Sequence, residues 1–343
     1  MKLISLRQAF VGLDREAKLR RYRELWHAAG RFEILPDHPL HLDLELSGVC
    51  NLSCQDCFQE SLDKKRLGLM DEALFQRLVD EGVENGLCAI KLQIRGESFL
   101  HPKLFECIEY AKERGVLDVQ ITTNGTLLDE AAMRRVLDSG LDGIIFSVDP
   151  RHADACSSRG APIEYSQVPS AVNRFLGLRR ERGAERPWVR LKAATDEATP
   201  EVMEALREEM RSAFPLADIF IVGKIFDYRK DRDSFPDLHR NYVLNPCAYL
   251  TQRLAVFWDG QATVCCMDYH GEFGLGTVHE RPVGEIWLSA ELGALRKAHL
   301  GGRRPKLPIC GHCHLCVSSA NARTFVDESP RSGLDYQLGL AGE

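Results

Sequence analysis

The hydrophobic positions change rhythm along the chain, and the changes mark out elements. Residues 14–29 place apolar positions at helical spacing among charges, which predicts an amphipathic helix stopped by Gly30. Pro36 and Pro39 break the chain next, and His41 to Leu46 then alternate strictly, as a strand does. A repeating strand–helix pattern follows. Strands are predicted at 88–94, 117–123, 142–148, 188–194 and 217–222, with helices at 71–86, 102–114, 129–140, 166–182 and 200–212 between them. Six strands separated by helices predict a parallel α/β sheet, curled by right-handed crossovers into a partial or full barrel. An active site is then expected in the loops at the strand C-termini. After about residue 225 the pattern changes: a polar stretch precedes Arg253 to Cys266, which reads as a hairpin turning at Asp259-Gly260. A helix at 289–299 follows. The expected organisation is an N-terminal helical extension (1–38), a barrel (39–225), a small α+β domain (226–317) and a tail (318–343).

Composition adds little to this. The chain has 343 residues, 44% of them hydrophobic and 27% charged, with a net charge of −6, as an ordinary globular protein has. No basic run suggests a nucleic-acid face, and no apolar stretch approaches the length of a membrane span. Residues Met1 to Leu13 lack the apolar core of a signal peptide, so the expected location is the cytoplasm.

The twelve cysteines do change the picture. Thiols in a reducing compartment stay unpaired, so clustered spacing points to metal or catalysis. Cys88, Cys107 and Cys156 are isolated and read as small buried hydrophobes. Cys50, Cys54 and Cys57 fall within eight residues after the first barrel strand. Three thiolates, with no nearby His, suit an iron–sulfur cluster with one open corner, with zinc or a redox thiol as alternatives.

Further short motifs follow in order, each at the end of a predicted strand: Arg95-Gly96-Glu97-Ser98 with His101-Pro102, Thr123-Asn124-Gly125, and Ser147-Val148-Asp149, with Arg159-Gly160 beyond. Together with the CxxxCxxC group they resemble the radical S-adenosylmethionine superfamily. The resemblance implies a partial (β/α)6 barrel and a [4Fe–4S] cluster held by Cys50, Cys54 and Cys57, with S-adenosylmethionine on its open iron. It implies Gly96 and Glu97 at the methionine amino group, Asn124 beside it, Ser147 and Asp149 at the ribose, and Arg159 at the carboxylate. Two departures stand out. The family's GGEP is RGES here, which removes a rigid proline, and Asp56 replaces an apolar residue before the third cysteine, leaving Phe58 to pack against adenine.

Cys247, Cys265, Cys310 and Cys313 form a second constellation, which resembles the twitch domain, a shortened SPASM extension. It implies one auxiliary [4Fe–4S] cluster, with Cys316 an alternative to Cys313 and zinc the other reading. Cys266 adjoins a ligand on the predicted return strand, where neighbours face opposite ways. It either packs or returns a hydrogen atom to a substrate radical. Proton-handling candidates are Lys192, Tyr228, Arg229, Asp268 and His270. The family implies an external reductase such as flavodoxin or ferredoxin. The short N-terminal segment favours a small polar natural product of the amino-sugar or aminocyclitol type over a precursor peptide. The expected reaction is oxidation through the auxiliary cluster. Epimerisation, dehydration, peptide modification and a non-catalytic electron carrier are the alternatives.

Overall fold

The computed structural model describes residues 1–54, 57–148, 156–158, 162–195, 197, 199–224, 245–311 and 313. Within them the strands are β1 (Lys2–Ile4), β2 (Ile34–Pro36), β3 (His41–Leu44), β4 (Leu52–Cys54), β5 (Ala89–Lys91), β6 (Asp118–Thr123), β7 (Gly143–Ser147), β8 (Cys156–Ser158), β9 (Trp188–Thr195), β10 (Ile219–Lys224), β11 (Arg253–Val256) and β12 (Ala262–Thr263). Eight of them form one sheet in the order β10-β9-β7-β6-β5-β3-β11-β12. The six expected barrel strands are all in it and all parallel, and the intervening helices are present. The fold is a partial barrel of the predicted α/β class.

Helix starts follow from local chemistry. Asp14, Asp71 and Asp129 each accept a backbone N–H of the first turn, as does Thr199 ahead of Pro200. Ile90, Val119, Ile121, Ile144, Phe146 and Val189 face the helices and are fully buried. The helix Arg15–Gly30 does not flank the sheet. It packs through Tyr22, Leu25 and Ala29 on Leu40, Ala89 and Leu117, closing the N-terminal end of the barrel.

The hairpin after residue 225 is not a separate sheet. Its first strand, β11, pairs in parallel with β3, Arg253 opposite His41 and Val256 opposite Leu44, so the barrel sheet runs across the boundary expected from sequence. The return strand is also shorter than predicted. It ends at Thr263, and Cys265 and Cys266 lie in the bend and turn beyond it. A small antiparallel pair, β4 with β8, brings Cys156 opposite Cys54. Cys88 and Cys107 are buried, as expected of packing residues.

His38 sits beside Gly284, 1% exposed, donating from Nδ1 to the Pro39 carbonyl at 3.3 Å, with no hydrogen-bond partner at Nε2. Burial pushes its pKa down to about 4. The unfolded chain therefore binds the extra proton between about pH 6.5 and pH 4, and stability falls as pH drops through that window. We expect the urea midpoint to fall more steeply from pH 7 to pH 4.5 in the native sequence than in a His38→Asn variant. The difference is on the order of 2–3 kcal/mol, and equal slopes would contradict the burial argument.

Candidate active site and iron–sulfur centres

Among the described residues, the loops after β3, β5 and β6 that carry Cys50, Gly96, Glu97 and Asn124 meet at the C-terminal end of the sheet. Cys50 follows β3, and its loop is fixed by the segment after β5. A side-chain carbon on Gly96 would lie 2.3 Å from the Val49 carbonyl and 2.4 Å from that of Ser47, so only glycine fits there. Glu97 N–H donates to the same Val49 carbonyl at 2.9 Å, and Gln59 Nε2 bridges the Gly48 and Arg95 carbonyls at 2.9 and 2.8 Å.

The departures in RGES have local reasons. Arg95 makes a two-pronged ion pair with Glu45 beyond β3, Nε to Oε1 at 2.6 Å and Nη2 to Oε2 at 2.5 Å. It also donates to the Tyr269 carbonyl at 3.2 Å and lies 3.7 Å over the Phe257 ring. Ser98 Oγ donates to the carbonyls of Leu92 and Thr122 at 2.7 and 3.1 Å, so hydrogen bonds supply the rigidity that proline would have given.

Glu97 is buried and takes the backbone N–H groups of Asn124 (2.7 Å) and Phe99 (3.1 Å). Burial raises its pKa to about 7, against these hydrogen bonds and one from Thr123. Asn124 donates to Asn51 Oδ1 at 3.0 Å and to Cys50 Sγ at 3.8 Å, while its own oxygen takes Thr126 Oγ1 at 2.6 Å. Asn51 closes the ring by donating to Thr126 at 2.8 Å. Sequence reasoning found Asn124 but missed Asn51 and Thr126, whose roles depend on loops 75 residues apart.

Cys57 Sγ accepts the Gln59 N–H at 3.5 Å and begins a short 3-10 helix, Phe58–Ser61. Burial, and the negative groups Glu97 and Cys57, push the Cys50 thiol up to about 11, while the Leu52 and Asn124 donors oppose this. Phe58 stacks on Tyr269, ring centroids 4.3 Å apart and 15° from parallel. Ser147, at the end of β7, is exposed on its central strand, and its carbonyl accepts Tyr165 Oη at 3.2 Å. Asp149, Arg159, Tyr228, Arg229 and Cys316 lie outside the described residues.

The second cysteine group converges as well. Cys265 is pushed up by burial and then by Cys266, Cys313, Cys310 and Cys247 in turn, and Cys310 by burial, Cys247 and Cys313. Cys310 and Cys313 are buried and Cys247 and Cys265 half-buried, and thiols that raise one another in this way ionise together only when a cation offsets their charge, which is what iron or zinc supplies. Arg304, 1% exposed, holds the three segments together. It donates to the carbonyls of Cys310 (3.3 Å), Cys313 (3.3 Å) and Asn245 (2.8 Å). His299 Nδ1 accepts the Cys247 N–H at 3.1 Å, and burial keeps that imidazole neutral. Neither Arg304 nor His299 carries a sequence motif.

The remaining candidates separate. Asp268 is fully buried, and its carboxylate takes Thr263 Oγ1 and the N–H groups of Glu272 (2.7 Å) and Phe273 (3.1 Å). It builds the turn after β12, and burial raises its pKa. His270 meets Ser61 Oγ at 3.2 Å. Cys266 packs with Ile94, Ala255 and Phe257, and its charge neighbours are Lys192, Tyr249 and Arg253, which places it toward the barrel. Lys192 is solvent-accessible yet ringed by protein, and burial followed by Lys91 lowers its pKa.

A sequence model of the radical SAM superfamily matches residues 44–167, and one described as an iron–sulfur cluster-binding domain, SPASM, matches residues 247–314. The chain belongs to the radical SAM superfamily. Its cofactors are accordingly an S-adenosylmethionine-binding [4Fe–4S] cluster and auxiliary iron–sulfur chemistry. This radical SAM chain is 23% identical over 292 residues to the tungsten-containing aldehyde ferredoxin oxidoreductase cofactor-modifying protein of Pyrococcus furiosus, covering 73% of this chain and 81% of that one. It is 30% identical over 130 residues to a probable GTP 3′,8-cyclase of Methanococcus maripaludis, covering 38% of this chain and 40% of that relative. Its fold is that of BtrN in complex with AdoMet and 2-DOIA, at TM-score 0.52 and 18% identity, covering 79% of this chain and 90% of that one.

Replacing Arg304 by Met removes the donor that gathers the second group. We expect the reconstituted Arg304→Met protein to lose roughly half its iron, about four of about eight atoms, while still binding S-adenosylmethionine. Undiminished iron would show that the cysteines assemble without the clamp.

Proposed function

We propose that this radical SAM chain dehydrogenates a small polar molecule seated inside the barrel, with Cys50, Cys54 and Cys57 holding the first cluster and Cys247, Cys265, Cys310 and Cys313 holding a single auxiliary one. Bound together, the first cluster and S-adenosylmethionine would supply a 5′-deoxyadenosyl radical, with methionine as the other fragment, and the auxiliary cluster would supply an electron acceptor. The chain's own residues do the rest. Gly96 and Glu97 take the methionine ammonium, and Glu97, a buried acid pushed up to about 7, gains the cation it lacks among the described residues. Asn124 orients Cys50. Ser147, with Asp149, takes the ribose, and Arg159 the carboxylate. Phe58, one face on Tyr269, borders the adenine. The proton that leaves with the substrate's second electron passes to the water that reaches the exposed end of the barrel strands. An external flavodoxin or ferredoxin supplies the reducing electron.

The observation that carries this reading is the polar interior. Lys91, Gln120 and Lys192 are half-buried or exposed on strands whose other faces are sealed, so they line a space open to water at the cysteine end. The likeness to a fold that holds 2-DOIA with AdoMet supports a small-molecule occupant. Amino sugars and aminocyclitols are the starting class for substrate trials.

A second reading rests on Cys266, which lies toward the same interior. There the thiol returns a hydrogen atom and the reaction is an epimerisation. The resulting thiyl radical then takes an electron from the reductase and a proton. Turnover in deuterium oxide separates the two, since thiol return installs deuterium at the attacked carbon and oxidation does not.

The first test is anaerobic reconstitution, followed by reduction with dithionite. We expect about eight irons per chain and formation of 5′-deoxyadenosine. The combined Cys50→Ala, Cys54→Ala, Cys57→Ala variant is expected to keep about four irons and to form none. Iron falling from about four to none in that variant would remove the auxiliary cluster and with it the oxidation.

A further inference from the structure

The barrel interior has a floor and a charge. On β7, β9 and β10, Ile145, Trp188 and Ile219 turn inward and pack into a small apolar plug. Arg190, two residues on from Trp188, lies over that indole with 5.1 Å between Cζ and the ring centroid. Its Nε is buried and has no hydrogen-bond partner, and neither has the buried Thr122 hydroxyl on β6. One step further along β9 comes Lys192, opposite Ser147 of β7. Both are exposed, although Phe146 and Leu191 seal the outer faces of these strands. The exposure is therefore to the space within the barrel.

Lys91 enters from β5, close enough to Lys192 to depress its protonation. Among the described residues neither lysine forms an ion pair or a hydrogen bond. Of the nearby acids, Asp43 is held by Arg253 at 3.2 Å and by His41 at 3.2 Å, while Asp118, which takes the Gln120 amide at 2.5 Å, is the acid whose charge Arg190 feels. Three cationic side chains thus face the space above the plug against one nearby carboxylate, Asp118, and Arg190 Nε and the Thr122 hydroxyl there have no hydrogen-bond partner.

We propose that this lining is an oxyanion subsite: Lys91, Arg190 and Lys192 seat a carboxylate or phosphate group of the substrate in the barrel, with the apolar plug beneath it. The inference rests on the reading of the interior as the substrate chamber, and it narrows that reading. Three like charges repel an ammonium group, so an amino sugar enters with its amine directed elsewhere or carries an acid as well. Two lysines and an arginine around one oxyanion give charge-assisted hydrogen bonds, and Thr122 offers a further donor.

The test uses the reconstituted protein with S-adenosylmethionine bound and calorimetric titration with inorganic phosphate, malonate and protonated glucosamine. We expect saturable binding of phosphate or malonate and none of glucosamine. Stronger phosphate binding would indicate a phosphorylated substrate, and stronger malonate binding a carboxylic acid. Lys192→Met and Lys91→Met should each weaken the preferred anion roughly tenfold or more, with iron content and thermal midpoint as checks on folding. Anions that do not bind, or that bind the variants as tightly as the native sequence, would overturn the subsite. If the native protein also forms no 5′-deoxyadenosine, the functional reading fails too. If it does form it, only the subsite fails.

Discussion

The ion pair between Arg95 and Glu45 ties together the parts on which the site depends. Glu45 is completely buried and Arg95 9% exposed, so both charges are removed from water and persist only because each satisfies the other. Glu45 also takes the backbone N–H groups of Arg95 and Trp258, each at 3.2 Å, while Arg95 reaches the Tyr269 carbonyl. One pair thus joins the end of the first barrel strand, the loop that fixes Gly96 and Glu97, and the hairpin unit that leads to Cys265 and Cys266. Breaking such a pair costs about 3–5 kcal/mol, mostly as the uncompensated charge left behind. The Phe58–Tyr269 stack runs parallel to it and couples the third cysteine of the first group to the same unit. The two cysteine groups are therefore built on one frame, although almost 200 residues of sequence separate them.

The barrel is a bowl rather than a packed cylinder. Parallel strands between helix layers are usually apolar on both faces. Here the helix-facing sides are, but the inward positions above the Ile145–Trp188–Ile219 plug are Lys91, Gln120, Thr122, Arg190 and Lys192. The open polar volume lies between the motif loops and the plug, with Cys266 on its border.

Local rhythm made the six barrel strands, their helices and their order legible in the sequence, because burial of one face repeats along each element. The CxxxCxxC group and the RGES, TNG and SVD motifs located the mouth of the bowl. What stayed hidden was tertiary. The parallel pairing of β11 with β3 joins residues more than 200 apart and leaves no periodicity to read. Asn51, Thr126, Arg304 and His299 act through partners on distant loops. Arg95 carried no expectation of its own and anchors the loop through Glu45, a partner 50 residues away. Asp268 braces the turn that ends β12 before Cys265, so alternation along a strand could not give the direction in which Cys266 faces.

The most direct test of the shared frame is electron paramagnetic resonance of the reduced Arg95→Met protein with S-adenosylmethionine bound. If one buried pair supports both cysteine groups, the signals of both clusters should shift or lose intensity together, and Glu45→Gln should reproduce the change, with the double variant no worse than either single one. Two unaltered signals, or a change confined to one cluster, would contradict a common frame.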